Sequence, residues 1–137
     1  MKKPIQPYLH FDEKCQEAMQ FYQQLFGGEL EIMSIGESPA KDHFPPEIHH
    51  QILHASLNNG EFKFMASDMC GMGELRQGNA VQLSLDCDTR EEIETLFKQL
   101  SEGGQVVQKL EKQFWGSLFG MVVDKYGVRW MLSLEEN

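Results

Sequence analysis

The sequence predicts an α+β fold in which residues 1–137 form one domain made of two βαβββ modules. The same order of elements in the two halves of the chain predicts this fold. Each half of the chain, about residues 4–70 and 78–135, shows a strand, an amphipathic helix and a Gly-Gly pair, followed by three more strands. Such internal repetition is stronger evidence about a fold than any single motif. A helix on one face of a four-stranded sheet leaves the other face free, so we expect an eight-stranded, cup-shaped mixed sheet with the helices outside.

The first module begins with a predicted strand over residues 5–11. Alternation along this strand places Tyr8 and His10 on the face opposite Phe11. Asp12 is a suitable N-cap for the helix that follows. The helix has an apolar stripe at i, i+3, i+4 and i+7 spacing, formed by Cys15, Ala18, Met19, Tyr22, Leu25 and Phe26.

Gly27-Gly28 ends this helix, with a left-handed C-cap expected. Beyond it the sequence predicts a strand, a Pro-rich loop and a hairpin that turns at Asn59-Gly60, a pair typical of tight turns. A connector with three glycines then leads into the second module. The strand covers residues 30–35 and the Pro-rich loop residues 37–46. The two strands of the hairpin cover residues 50–57 and 62–67, and the connector covers residues 69–79.

The second module repeats the order of the first. A strand over residues 80–85 precedes a capping box in which Thr89 and Glu92 begin the helix, with Asp88 and Glu91 as an alternative pair one residue earlier. The helix ends at Gly103-Gly104, and a final apolar hairpin turns between Asp124 and Gly127. The helix stripe comprises Ile93, Leu96, Phe97 and Leu100. The following strand covers residues 105–110, and the hairpin covers residues 115–130.

Composition and charge limit the classes of function. A hydrophobic content of 41% and a charged content of 24% are typical of soluble globular proteins. The net charge of −9 argues against binding to nucleic acid or to an anionic membrane surface. No segment reads as a signal peptide or a spanning helix, and the three cysteines have no metal-ligand spacing. We therefore expect a cytoplasmic protein with free thiols.

Several short motifs resemble those of one known family, the PhnB-like branch of the vicinal oxygen chelate superfamily. This superfamily includes glyoxalase I, bleomycin resistance proteins and extradiol dioxygenases. PhnB-like proteins are sometimes labelled as 3-demethylubiquinone-9 3-methyltransferases, but no strand here leads through a Gly-rich loop to a helix that would hold an adenosyl cofactor. The motifs are Pro7-Tyr8-Leu9-x-Phe11, Glu17-Ala18-x-x-Phe21-Tyr22, Phe26-Gly27-Gly28-Glu29, Met65-x-Ser67-Asp68, Trp115-Gly116, Gly120, Asp124, Gly127 and Trp130.

The resemblance also implies where a metal would be bound. The metal enzymes of this superfamily place one ligand on each of four strands, and three of those positions correspond by register to Gln6, to Asn79 or Ala80, and to Met131. The remaining position lies on the strand over residues 62–67, which has no interior His or Glu. Because a divalent ion needs several N, O or S donors, we expect no metal and no other cofactor. A divalent metal bound through ligands in another register is the alternative.

The predicted lining of the cup is of mixed polarity, which suits a small organic ligand. Arg129 could bind a carboxylate or a phosphonate, or form an ion pair instead. His10, together with Tyr8, could serve in acid–base chemistry, or His10 could be a packed or solvent-facing histidine. Trp115 could stack on a ligand, or lie in the core or an interface. The full set of predicted lining residues is Gln6, Tyr8, His10, Gln82, Ser84, Trp115, Arg129, Met131 and Ser133.

Other histidines and cysteines offer weaker candidates. His50 and His54 would share a strand face about 13 Å apart, so joint metal binding would need a bend there. Cys15 lies on the helix stripe as a small apolar residue, whereas Cys87 could have a lowered pKa because it precedes a helix. The histidines considered as a non-standard metal set are His43, His49, His50 and His54.

Three functions therefore remain open. The first is a metal-independent protein that binds a small molecule. The second is a metal-dependent lyase, isomerase or dioxygenase of the glyoxalase type. The third is a metal-free enzyme that uses His10 as acid or base. The resemblance further implies a homodimer, which would also cover exposed edge strands.

Overall fold

The computed structural model describes residues 4–136. The chain forms two compact units, one extending to Leu75 and the other beginning at Arg76. Each unit contains one four-stranded mixed sheet with one α-helix packed against it. The predicted α+β class and the repeated βαβββ order are confirmed, with the eight strands divided between two sheets. The cup shape stays a prediction.

In the first unit the strand order is β1-β4-β3-β2, with β1 parallel to β4 and the other pairs antiparallel. Four residues of the predicted helix stripe, Cys15, Ala18, Met19 and Tyr22, are buried, whereas Leu25 and Phe26 are half-buried. The Tyr22 ring meets the core residue Phe64 edge-on. Two short 3-10 turns lie in the Pro-rich loop. The elements are β1 (Tyr8–Phe11), α1 (Cys15–Phe26), β2 (Glu29–Ser34), β3 (Ile52–Asn58) and β4 (Lys63–Asp68).

The start of α1 differs from the prediction that Asp12 caps it. Lys14 occupies the N-cap position and makes no side-chain capping bond. The buried carboxylate of Asp68 instead accepts hydrogen bonds from the backbone N–H of Cys15 at 3.0 Å and of Ile52 at 2.8 Å. Asp68 therefore satisfies an orphan donor of the helix and joins it to β3.

The second unit has the strand order β5-β8-β7-β6, with β5 parallel to β8. The predicted capping bond of Thr89 is present, since Thr89 Oγ1 accepts from the Glu92 N–H at 3.1 Å. Glu92 Oε1 accepts in return from the N–H of Asp88, one residue before the cap, at 2.8 Å. The elements are β5 (Leu83–Asp86), α2 (Arg90–Ser101), β6 (Gln105–Lys112), β7 (Ser117–Val123) and β8 (Arg129–Glu135).

The final hairpin turns where predicted, around a buried carboxylate. Asp124 accepts from the backbone N–H of Tyr126 at 2.8 Å and of Val128 at 3.1 Å, and from Trp130 Nε1 at 2.9 Å. Gly127 has φ = +85°, which a residue with a side chain adopts reluctantly. Asp124 therefore fixes both the turn and the orientation of the Trp130 ring.

Three strands are shorter at their start than predicted. The strand β1 begins at Tyr8 rather than residue 5, although the Pro7 carbonyl oxygen still accepts from the Met65 N–H at 3.1 Å. Proline has no N–H with which to extend the ladder. The strand β3 begins at Ile52 because residues 49–51 form a turn, and β5 begins at Leu83 because residues 80–82 make no ladder pairs. Among residues 4–136, no helix is long and apolar enough to cross a membrane.

Candidate functional site

The candidate site lies on the open face of the first sheet, the face opposite α1. Alternation along β1 directs Phe11 into the core and leaves Tyr8 and His10 exposed. The parallel register of β1 with β4 places Ser67 beside His10. His54 reaches the same face from β3. We call Tyr8, His10, His54 and Ser67 the imidazole cluster.

Each histidine of the imidazole cluster is hydrogen-bonded to a hydroxyl group. Tyr8 Oη lies 3.2 Å from His54 Nδ1, and Ser67 Oγ lies 3.1 Å from His10 Nδ1. The Tyr8 ring is tilted by about 40° toward both imidazoles, with centroid distances of 5.3 Å to His10 and 5.8 Å to His54. Three rings and two hydroxyl groups are thus gathered on one face.

The contacts of the cluster leave specific atoms available for a ligand. Nδ1 of His10 and of His54 is already engaged, whereas Nε2 of neither ring has a hydrogen-bond partner within residues 4–136. Tyr8 is 42% exposed and His10 and His54 are also exposed. A polar group with a planar ring fits this combination of imidazole nitrogens and exposed aromatic surface.

Of the other predicted lining residues, Gln6 belongs to the first unit, and Gln82, Ser84, Met131 and Ser133 belong to the second. Gln6 is half-buried just before β1, and Gln82 is exposed just before β5. On the second sheet the register places Ser84 beside Met131, on the face opposite the buried Trp130 and Leu132. Ser133 lies two residues further along the same face of β8.

Arg129 is half-buried at the start of β8. Its Nε donates to the Gly78 carbonyl oxygen at 3.3 Å. Its two terminal nitrogens form no ion pair or hydrogen bond with the described part of the chain. The guanidinium group is therefore free to contact an anion, and its role in binding stays a prediction.

Trp115 lies at the tip of the β6–β7 hairpin and is 54% exposed, so it does not lie in the core. Its predicted place in an interface or against a ligand stays a prediction. Its ring meets Phe114 edge-on with centroids 4.9 Å apart, and Phe119 at 6.1 Å. Phe114 is 97% exposed. A hairpin tip has no facing element in its own unit that would bury these rings.

His49 and His50 are held by separate partners outside the imidazole cluster. His49 Nε2 contacts the carbonyl oxygens of Lys41 at 2.9 Å and Phe44 at 3.0 Å, and His50 pairs with Glu13. Because His50 precedes β3, it does not share a strand face with His54, contrary to expectation. Within residues 4–136, no three His, Cys, Asp or Glu side chains are grouped so that they could hold a metal ion.

The expectation of a lowered pKa for Cys87 is wrong. Burial, with the nearby carboxylates of Glu92, Asp86 and Asp88, raises the pKa of this thiol from its ordinary 9.0 to about 12. Negative charges and desolvation outweigh the adjacent helix N-terminus. A recess of about 480 Å³ opens beside this thiol, lined by Asp86, Cys87, Asp88, Ser133, Leu134 and Glu135.

Ser67 and the position of His54 were missed in the sequence. The sequence pattern indicates His54 only as a possible metal ligand, and Ser67 only as part of a family motif. A parallel pairing of the first strand with the strand over residues 62–67 would have placed Ser67 opposite His10. The sequence pattern carried no signal for this pairing, because partners in a parallel pair are distant along the chain.

The two-helix, two-sheet α+β architecture is shared with solved structures of other proteins. A glyoxalase/bleomycin resistance protein/dioxygenase family enzyme from Burkholderia phytofirmans PsJN has the same fold, with a TM-score of 0.59 at 16% identity over 94% of this chain and 97% of that one. Closer similarity is found to protein PA1353 from Pseudomonas aeruginosa. Its TM-score is 0.84 at 36% identity, covering 98% of this chain and all of that one.

Sequence comparison then shows the family. A family model described as 3-demethylubiquinone-9 3-methyltransferase matches residues 3–133. The PhnB protein from Bacillus cereus is 32% identical, with a TM-score of 0.78 over 96% of this chain and 99% of that one. Protein YjdN of Escherichia coli (strain K12) is 32% identical over 96% of this chain and 95% of its own length. The chain belongs to this PhnB-like family.

Proposed function

We propose that this protein binds a small organic molecule without a metal ion, on the open face of the first sheet. The observation that supports this most is the imidazole cluster, in which two hydroxyl–imidazole pairs surround an exposed tyrosine ring. Exposed side chains held in fixed geometry by one another lose little conformational freedom when a ligand binds.

The methyltransferase name of the family fits this chain poorly. The loops that connect β1 to α1 and β5 to α2 contain no glycine, so neither forms a Gly-rich turn that could approach a nucleoside cofactor closely. The positions that correspond to the metal ligands of the superfamily hold Gln6 and Met131, and the described residues bring no three strong metal ligands together. The proposed binding therefore involves neither a nucleoside cofactor nor a metal ion.

A metal-free enzyme that uses His10 is the second candidate. The hydrogen bond from Ser67 orients the imidazole and leaves its Nε2 free for proton transfer to a bound compound. In this case His10→Ala would abolish turnover while the protein still bound its substrate. Unchanged turnover in His10→Ala would eliminate this candidate.

A thermal-shift screen tests the binding function. The library should contain small carboxylic acids, phosphonates, quinones and antibiotics, each assayed with EDTA and with added divalent metals. A ligand at one hundred times its dissociation constant should add about 2.7 kcal/mol to the free energy of unfolding. The shift should persist in EDTA and in His43→Ala, which changes a histidine outside the cluster, and should be lost in His10→Ala. Dependence on a metal, or an undiminished shift in His10→Ala, would contradict the proposal.

The proposed assembly is a homodimer in the cytoplasm. Val106 and Val107 lie on the edge strand β6 and are each nearly half exposed, which favours coverage of this edge by another chain. The three free cysteines suit a reducing compartment. Light scattering of the purified protein should give twice the mass of the 15.8 kDa chain.

A further inference from the structure

The hydrogen bond between Ser67 and His10 determines which atom of His10 carries a proton. Ser67 is only 4% exposed, and its hydroxyl group has no other hydrogen-bond partner within residues 4–136. If His10 Nδ1 were the donor, the buried hydroxyl hydrogen of Ser67 would lack an acceptor, which is costly. Ser67 Oγ therefore donates and His10 Nδ1 accepts.

This direction of the bond fixes the tautomer of neutral His10. An imidazole that accepts at Nδ1 carries its proton at Nε2. Nε2 is the ring nitrogen without a partner in the described residues, so His10 presents an N–H donor on the exposed face. The Tyr8–His54 pair lacks the same constraint, because the exposed Tyr8 hydroxyl can donate to water instead.

We propose that Ser67 is a positioning residue that holds His10 as the Nε2–H tautomer, so that the site selects ligands with an acceptor oxygen at this point. The selection of ligands rests on the binding function proposed above. The ligand class is planar conjugated compounds that carry a carboxylate, carbonyl or phenolate oxygen, because such an oxygen can accept from Nε2 while the ring lies near Tyr8. A compound that offers only donors at this point would leave the Nε2–H unsatisfied.

Nitrogen-15 NMR of the full chain tests the role of Ser67 without a ligand. At about pH 8, where imidazoles are ordinarily neutral, His10 should show a protonated Nε2 and an unprotonated Nδ1. Ser67→Ala should give an average of both tautomers, Ser67→Thr should restore the single form, and Ser56→Ala should change nothing. Ser56 is a matched control because it is a buried serine on the neighbouring strand β3. A proton on Nδ1 in the natural protein, or an unchanged tautomer in Ser67→Ala, would overturn the proposal.

Two planar probes of similar size test the ligand class. Benzoate offers only acceptors and benzamidine, as its cation, only donors. High salt is needed because the net charge of −9 attracts the cation nonspecifically. Benzoate should shift the His10 Nε2 signal, and its dissociation constant should rise about twofold in Ser67→Ala if the Nε2–H fraction falls to half.

A shift of His10 by benzamidine and not by benzoate would overturn the proposed ligand class. If neither probe nor any screened compound perturbed the first sheet, the proposed binding function would fail. The NMR tautomer would still decide the role of Ser67, so the two failures are distinguishable.

Discussion

The two units share one order of elements but stabilise it through different residues. In the first unit the buried Asp68 joins the start of α1 to β3. In the second unit the start of α2 has its own capping box, and the buried Asp124 closes the last hairpin instead. The comparison shows that the repeat preserves topology, while each unit satisfies its orphan backbone donors in its own way.

The open faces of the two sheets carry different kinds of side chain. The first carries the imidazole cluster, with Met33 and Met65 beside it. The second carries Met121, Met131 and Phe119, with Arg129 at one end. Paired hydrogen-bonding groups with free imidazole nitrogens occur on the first face, which is why the ligand site is proposed there.

Removal of the hairpin carboxylate should have the largest effect on stability. Asp124→Ala leaves two backbone donors and the Trp130 indole N–H without their charged acceptor, so we expect a loss of roughly 4 kcal/mol in the free energy of unfolding. Urea denaturation measures this loss. Asp42→Ala, which removes an exposed carboxylate in the Pro-rich loop, should stay within about 0.5 kcal/mol of the natural protein.

Asp68→Ala should cost somewhat less, about 3 kcal/mol, because two backbone donors lose the carboxylate. The substitution should also lower the pKa of Cys15, since the negative charge of Asp68 helps to raise it. Urea denaturation and the rate of thiol modification measure the two effects. A loss below about 1 kcal/mol would show that α1 does not depend on Asp68 for its cap.

The two helix starts should respond differently to loss of the N-cap side chain. Thr89→Ala removes a capping bond and should destabilise the protein by about 1 kcal/mol. Lys14→Ala should change the free energy of unfolding by less than about 0.5 kcal/mol, because Lys14 makes no capping bond. Equal losses in the two variants would contradict the contrast between the units.

The thiols near the two helix starts make a pH-dependent contribution to stability. Burial is the main cause that raises the pKa of Cys15 and of Cys87 from 9.0 to about 12. Folding thus retains protons that the unfolded chain loses, so this stabilisation is complete below about pH 9 and is lost as the pH rises toward 12. As the pH rises from about 9 to about 12, the denaturation midpoint should fall less in the Cys15→Ala/Cys87→Ala variant than in the natural protein.

Local patterns in the sequence predicted the elements well. The helix stripe beginning at Cys15, the capping box at Thr89 and the turn between Asp124 and Gly127 each depend on residues close together along the chain. These features are determined by side-chain periodicity and turn chemistry, which a single sequence displays.

Features that depend on distant residues were not predicted. Asp68 caps a helix that begins 53 positions earlier, and Ser67 meets His10 across 57 positions. The pKa of Cys87 was predicted in the wrong direction, because burial and carboxylates from two elements outweigh the local helix N-terminus. Tertiary packing determines the Asp68 cap, the Ser67–His10 contact and the pKa of Cys87. Neither hydrophobic periodicity nor the spacing of residues indicates such packing.

Methionine-methyl NMR tests most directly whether the first sheet recognises the ligand. The methyl groups of Met33 and Met65 report on the open face of the first sheet, and those of Met121 and Met131 on the face of the second. Titration with benzoate, and then with the strongest compound from the screen, should shift Met33 and Met65 in the natural protein. The shifts should disappear in His10→Ala. Shifts confined to Met121 and Met131, or shifts at the first sheet that persist in His10→Ala with unchanged affinity, would contradict the account.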